Sequence, residues 1–196
     1  MAIGAIKNDG NGPDSGQVRV YQFLNYSWSQ LGADIDGEAN NDSFGSSVSL
    51  SSDGMTLAIG AIQNDGNGTD SGHVRVYKWN GLSWDKLGDD IDGEAANDLS
   101  GYSVSLSSDG TIVAIGAVFN DGNGFNSGHV RVYYWDSSAW GQRGLDIDGE
   151  EALDQSGYSV SLNDNGDILA IGAPENDGNG SDSGYVRVYQ WDGTTW

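Results

Sequence analysis

A block of twenty residues, AIGAIQNDGNGTDSGHVRVY at Ala58–Tyr77, recurs from Ala2, Ala114 and Ala170 without insertion or deletion. The starts lie 56 residues apart, so the 196-residue chain is three and a half copies of one unit. A fixed period of this length constrains the fold more than any local signal. Each repeat is one supersecondary unit that buries its apolar faces against its neighbours.

Phasing the unit by its turns predicts four short strands, A to D. Strand A is Ser46–Leu50, Tyr102–Leu106 and Tyr158–Leu162, with Val and Leu alternating with small Ser. Asp-Gly at 53–54 and 109–110 and Asn-Gly at 165–166 supply the positive φ of a hairpin turn. Strand B, at Met1–Ala5, Leu57–Ala61, Val113–Ala117 and Leu169–Ala173, is apolar throughout and reads as buried on both faces. Strand C is VRVY at Val18–Tyr21, Val74–Tyr77, Val130–Tyr133 and Val186–Tyr189, followed by Phe23, Trp79, Trp135 and Trp191. Strand D is short, at 27–32, 83–88 and 139–144. No stretch has a sustained helical period. Four antiparallel strands per repeat predict an all-β fold, a β-propeller of four-stranded blades, rather than a solenoid with its shorter rungs. The expected organisation is a single array: 1–45 (strands B–D of a first blade plus its connection), 46–101, 102–157, and 158–196 (strands A–C of a fourth).

Charge excludes several partners. The 29 acidic residues against 8 basic ones give a net charge of −21, which repels nucleic acid and anionic lipid surfaces and favours cations or cationic partners. No apolar run is long enough for membrane insertion. There is no cysteine, hence no disulfide framework.

The run Phe44-Gly45…Leu57-Ala58-Ile59-Gly60-Ala61, and Ile171-Gly172-Ala173-Pro174 in the last copy, resembles the FG-GAP repeats of integrin α-subunit propellers and their microbial relatives. The resemblance implies a seven-bladed ring, with strand A at the axis and strand D at the rim. It also implies adhesion or ligand recognition at the cell surface or outside the cell. Phe44 is replaced by Ser100 and Ser156, so the FG half is degenerate while the GA half is kept. The chain begins and ends in mid-repeat, as an excised or permuted piece of a longer array would. Incomplete blades leave unpaired edges, and self-association, for instance as a homodimer completing a ring, is expected.

In an up-and-down blade the B–C and D–A connections emerge on one face, and these carry 22 of the 29 acidic residues. The B–C loops read NDGNG followed by P, T, F or S. Their candidate cation ligands are Asp9, Asn11 and Asp14, Asp65, Asn67 and Asp70, Asp121 and Asn123, and Asp177, Asn179 and Asp182. These are hard oxygens on flexible loops, a chemistry that suits Ca²⁺, though the third acid falls one place late for the calcium-loop pattern and no closing carboxylate follows. The same residue types also serve turn geometry alone. The family's Ca²⁺ sites lie in an acid-rich A–B loop, which here is shortened to SSDG, with a trace left at Asn163, Asp164, Asn165 and Asp167. The D–A connections, DIDGE in each copy, form a candidate ligand face through Asp36, Glu38, Asp92, Glu94, Asp148 and Glu150, pinned by Ile35, Ile91 and Ile147.

His73 and His129 stand where other copies have Gln17 and Tyr185, and read as loop or strand-edge residues rather than catalytic bases. Arg19, Arg75, Arg131 and Arg187 are expected to pair with loop carboxylates, and Trp28, Trp84, Trp140 and Trp196 to anchor blade packing. No catalytic set stands apart from the repeat. The expectation is therefore a non-enzymatic binding and adhesion module with a protein or glycan ligand, assisted by Ca²⁺. The alternatives are a purely structural or excised piece that self-assembles into a ring, and a carbohydrate-active enzyme scaffold or lectin.

Overall fold

The computed structural model describes residues 1–196. Seventeen strands form four antiparallel sheets, one per blade, and the sheets do not close into a ring. Blade 1 holds β1 (Ala2–Ala5), β2 (Gln17–Leu24), β3 (Ser27–Gln30) and β4 (Ile35–Asp36). Blade 2 holds β5 (Phe44–Leu50), β6 (Thr56–Ala61), β7 (His73–Trp79), β8 (Trp84–Lys86) and β9 (Ile91–Asp92). Blade 3 repeats this with β10 (Ser103–Leu106), β11 (Ile112–Ala117), β12 (His129–Trp135), β13 (Trp140–Gln142) and β14 (Ile147–Asp148). Blade 4 has β15 (Ser159–Leu162), β16 (Ile168–Ala173) and β17 (Tyr185–Gln190).

One pairing departs from the expected four-stranded blade. The outer strand β8 covers only Tyr77–Trp79 of β7, so the start of β7 would be left with a bare edge. The DID segment returns to fill it, pairing Ile91 with Val74 and Asp92 with His73. Segments read from sequence as pinned loops are thus short fifth strands, repeated at β4 and β14.

Packing follows the alternation of side chains. Val18, Val20 and Ile35 of blade 1 pack against Leu57, Ile59 and Ala61 of blade 2, and Val74, Val76 and Ile91 of blade 2 pack against Val113 and Ile115 of blade 3. Blades 3 and 4 repeat the contact through Val130, Val132, Ile147, Leu169 and Ile171. Each such valine or isoleucine contributes about 1.5–3 kcal/mol when fully buried. The small Ser residues of strand A join blades directly. Ser47 Oγ donates to Gly101 O at 2.6 Å and Ser103 Oγ to Gly157 O at 2.7 Å. In return Ser49 Oγ accepts from Leu106 N at 3.0 Å, and Ser105 Oγ from Leu162 N at 2.9 Å.

Candidate functional site

The B–C loops and D–A connections interlock on one side of every blade junction. Asp65 Oδ1 accepts from Asp70 N at 2.8 Å, and Asp9, Asp121 and Asp177 repeat the bond with Asp14, Asn126 and Asp182. Asp14, Asp70, Asn126 and Asp182 sit at φ of 50°, 51°, 53° and 51°, a left-handed conformation that Asn and Asp tolerate better than most residues. Asn67 Nδ2 donates to Gly93 O and Glu94 O, both at 2.9 Å, and Asn11 and Asn123 make the same bridge. Asn179 has no such bridge. The sequence-selected cation ligands therefore hold their own loops and tie them to the D–A strand of the same blade.

Sequence reasoning passed over the residue that begins each loop. Asn64 Nδ2 bonds Asp42 at 3.1 Å across the junction of blades 1 and 2, and Asn120–Asp98 and Asn176–Asp154 follow at 2.9 and 3.0 Å. All three carboxylates are buried. Burial raises the Asp42 carboxyl, partly offset by Asn64 and the Ala39 amide. The recurring 22-residue spacing of these pairs was the available signal.

Beside this clamp lies a station of charged side chains, built from two blades. Glu38 comes from the D–A connection of blade 1, and His73, Arg75, Asp90 and Asp92 come from blade 2. Arg75 bonds Glu38 Oε2, and it also bonds Asp90 through Nη2 at 2.8 Å and through Nε at 2.9 Å. Lys86 adds a second cation on Asp90 at 2.8 Å. The next junction repeats the station with Glu94, His129, Arg131, Asp146 and Asp148. There Arg131 bonds Glu94 and lies 3.3 Å from Asp146, and Gln142 replaces the lysine and bonds Asp146. At the outer blades the set is partial: Arg19 pairs only with Asp34, and Arg187 only with Glu150. In place of histidine, Gln17 donates to Asp36 at 2.7 Å.

Burial raises the cost of charge on Glu38 and Asp90, but Arg75 outweighs it and holds both carboxyls below their usual range. On Asp92 burial, with the neighbouring Asp90 and Glu38 charges, outweighs Arg75 and Lys86 and pushes the carboxyl up. His73 falls to about 4 because burial, reinforced by Arg75, outweighs the carboxylates, and burial likewise lowers His129. Both imidazoles are neutral at pH 7. Of the two expected placements they take the strand edge and not the loop, as the buried first residues of β7 and β12, each 35 positions after its station glutamate. All six residues selected as a ligand face lie on this side, with Glu38, Glu94 and Glu150 bound to arginines of the following blade.

The FG-GAP repeat family matches residues 33–77, 91–133 and 146–189, well over half of the chain. The chain belongs to the FG-GAP repeat family. Each matched FG-GAP window opens at a D–A connection and closes at the end of strand C, so it spans both sides of a junction station. No curated protein matches the chain. Among solved structures it is similar to the periplasmic gluconolactonase PpgL of Pseudomonas aeruginosa, at 16% identity and TM-score 0.59, over 97% of this chain and 49% of that one. It is also similar to a Bacteroides uniformis protein described as a "putative 6-phosphogluconolactonase", at 10% identity and TM-score 0.59, over 91% of this chain and 44% of that one. The chain spans about half the length of either.

This finding corrects the expectation of a non-enzymatic binding and adhesion module. The architecture is shared over nearly the whole chain with lactonases, which are enzymes. The expectation rested on the lack of a catalytic cluster distinct from the repeat. A propeller gathers loop residues from many blades onto one face, so the four blades of this chain need not display a complete set.

Proposed function

We propose that the chain is one half of an enzyme-type propeller that hydrolyses a cyclic sugar ester at its acid-rich face. The observation that supports this reading is the fold likeness to a gluconolactonase over 97% of the chain. The side chains of that face suit the chemistry. Half-exposed Glu38, Glu94 and Glu150 each lie beside a guanidinium. An ionised carboxylate takes a proton from water as it attacks the ester carbonyl, and a neighbouring guanidinium stabilises the oxyanion that develops. Cleavage of the ring C–O bond then leaves a hydroxyl and a carboxylate, with water as the only co-reactant.

We further propose that a second copy of the chain completes the ring, since the outer faces of blades 1 and 4 are uncovered versions of a contact made three times within the chain. The test is proton release from gluconolactone, measured against its spontaneous hydrolysis. The parent chain should accelerate it, and the triple variant E38Q/E94Q/E150Q should not. A parent chain that leaves the spontaneous rate unchanged, at concentrations where it is assembled, overturns the reading.

A further inference from the structure

Two buried imidazoles in this fold lack any hydrogen-bond partner where one is due. His73 is 1% exposed, and neither Nδ1 nor Nε2 is bonded; His129 is 3% exposed, and its Nδ1 is unbonded. An unpaired buried polar atom is costly, so its presence at two equivalent positions calls for a partner. The position does not demand it. Gln17, the counterpart in blade 1, satisfies itself on Asp36.

The unpaired atoms face carboxylate oxygens. His129 Nδ1 lies 3.7 Å from Glu94 Oε2 and 4.0 Å from Asp148 Oδ1. His73 Nδ1 lies 4.0 Å from Glu38 Oε1. In each station the candidate ligand atoms of Glu, His and the aspartate just before the D–A strand (Glu38, His73, Asp90; Glu94, His129, Asp146) fall within 4.8 Å of one another. Direct hydrogen bonds would need about 3 Å, and the gap exceeds that. It is close to the ~3.3 Å separation of ligands around a tetrahedral ion with bonds near 2.0–2.1 Å. The half-exposed glutamates can move in by the roughly 0.4–0.7 Å that separates their imidazole contacts from that spacing.

Charge favours a cation as well. At the second station Glu94, Asp146 and Asp148 face one guanidinium, Arg131, and Gln142 stands where Lys86 neutralises the first. Arg131 occupies only Oε1 of Glu94 and leaves Oε2 toward the imidazole. One oxygen on arginine and the other on a metal is an ordinary outer-shell arrangement.

We propose that the Glu38–His73–Asp90 and Glu94–His129–Asp146 stations bind a divalent d-block cation of the zinc type, stapling blade 1 to blade 2 and blade 2 to blade 3. One imidazole nitrogen with two carboxylates, and a fourth position open to water, suits Zn²⁺ over Ca²⁺, which takes six to eight oxygens. The proposal shares Glu38 and Glu94 with the lactone reading but does not rest on it: a chain that binds metal and hydrolyses nothing leaves it standing.

The test is titration of the chelator-treated, tag-free chain with Co²⁺ and then Zn²⁺, followed by absorbance and thermal melting. Two equivalents of Co²⁺ should develop an intense tetrahedral spectrum, Zn²⁺ should displace them, and the melting temperature should rise with metal. H73Q and H129Q, which copy Gln17, should each remove one equivalent, and the double variant both, while the chain still melts cooperatively. Absence of a Co²⁺ spectrum, binding that survives the double variant, or an equal melting shift with Ca²⁺ would each overturn the proposal.

Discussion

The indole of Trp84 donates from Nε1 to the main-chain oxygen of Leu31 at 2.9 Å, bonding strand D of blade 2 to the end of blade 1. Trp140 does the same to Leu87 at 2.8 Å and Trp196 to Arg143 at 2.9 Å, each across 53 residues. Every ring also stacks at a tilt on the aromatic that ends strand C. Replacing Trp84 by Phe keeps most of the apolar contact but leaves the Leu31 carbonyl unpaired, which costs about 1–2 kcal/mol. Trp28 has no blade before it and is 55% exposed. Urea unfolding should therefore show W84F and W140F destabilised by about that amount and W28F near the parent.

The glycines of three AIGA strands, Gly4, Gly60 and Gly116, lie where a neighbouring blade's backbone passes. A Cβ on Gly116 would meet Gly157 O at 2.1 Å, and one on Gly60 would meet Gly101 O at 2.2 Å. Neither carbonyl can rotate away as a side chain does. At Gly172 no following blade is present, and the nearest atom is the mobile Ser159 hydroxyl at 2.5 Å. G116A should thus lose about 3 kcal/mol or more, whereas G172A should stay within about 1 kcal/mol of the parent. Equal losses from the two substitutions would show that strand propensity, not blade approach, selects the glycine.

The repeat period and its turn dipeptides carried the architecture, because Asp53-Gly54 and the alternation of Val74 and Val76 are local signals of a strand and its turn. The loop roles were less legible. Asp65 and Asn67 resemble calcium ligands in sequence, yet whether their atoms face an ion or the Asp70 amide and the Gly93 carbonyl depends on a chain path that composition does not encode. His73 was passed over because periodicity marks it as one variable position among Gln17, His129 and Tyr185. Its significance comes from Glu38, 35 residues earlier, reaching it from another blade. Ile91–Asp92 was hidden as a strand because two residues cannot show a period.

Stability at alkaline pH should depend on a tyrosine pair near the axis. The rings of Tyr102 and Tyr158 lie 5.1 Å apart on adjacent A strands. The Tyr158 phenol and partial burial push Tyr102 up to about 12 from 10.0. The unfolded chain releases this proton first, so the contribution is fully present below pH 10 and disappears as pH climbs to about 12. Thermal melts should decline over that interval, and Y158F should both flatten the decline and return Tyr102 toward 10 in an absorbance titration. A decline of the same slope in Y158F would assign it to other groups.

The proposed completion of the ring by a second copy is motivated by what the outer blades leave uncovered. Val186 and Val188 are 70% and 67% exposed on blade 4, where Val74 and Val76 are 0% and 1% exposed on blade 2. On the opposite side, Ile3 of blade 1 is 47% exposed while Ile59 is fully buried. These two faces carry the strand B and strand C parts of the contact that joins blades inside the chain, without the D–A strand on blade 4 or strand A on blade 1. Such a head-to-tail contact builds a ring where its rotation closes and a filament where it does not. Sedimentation velocity should show a discrete oligomer that V188D converts to a monomer with an unchanged β-sheet circular dichroism spectrum. A parent chain that stays monomeric over a wide concentration range would end this proposal, and growth without limit would show that the outer blades meet without closing.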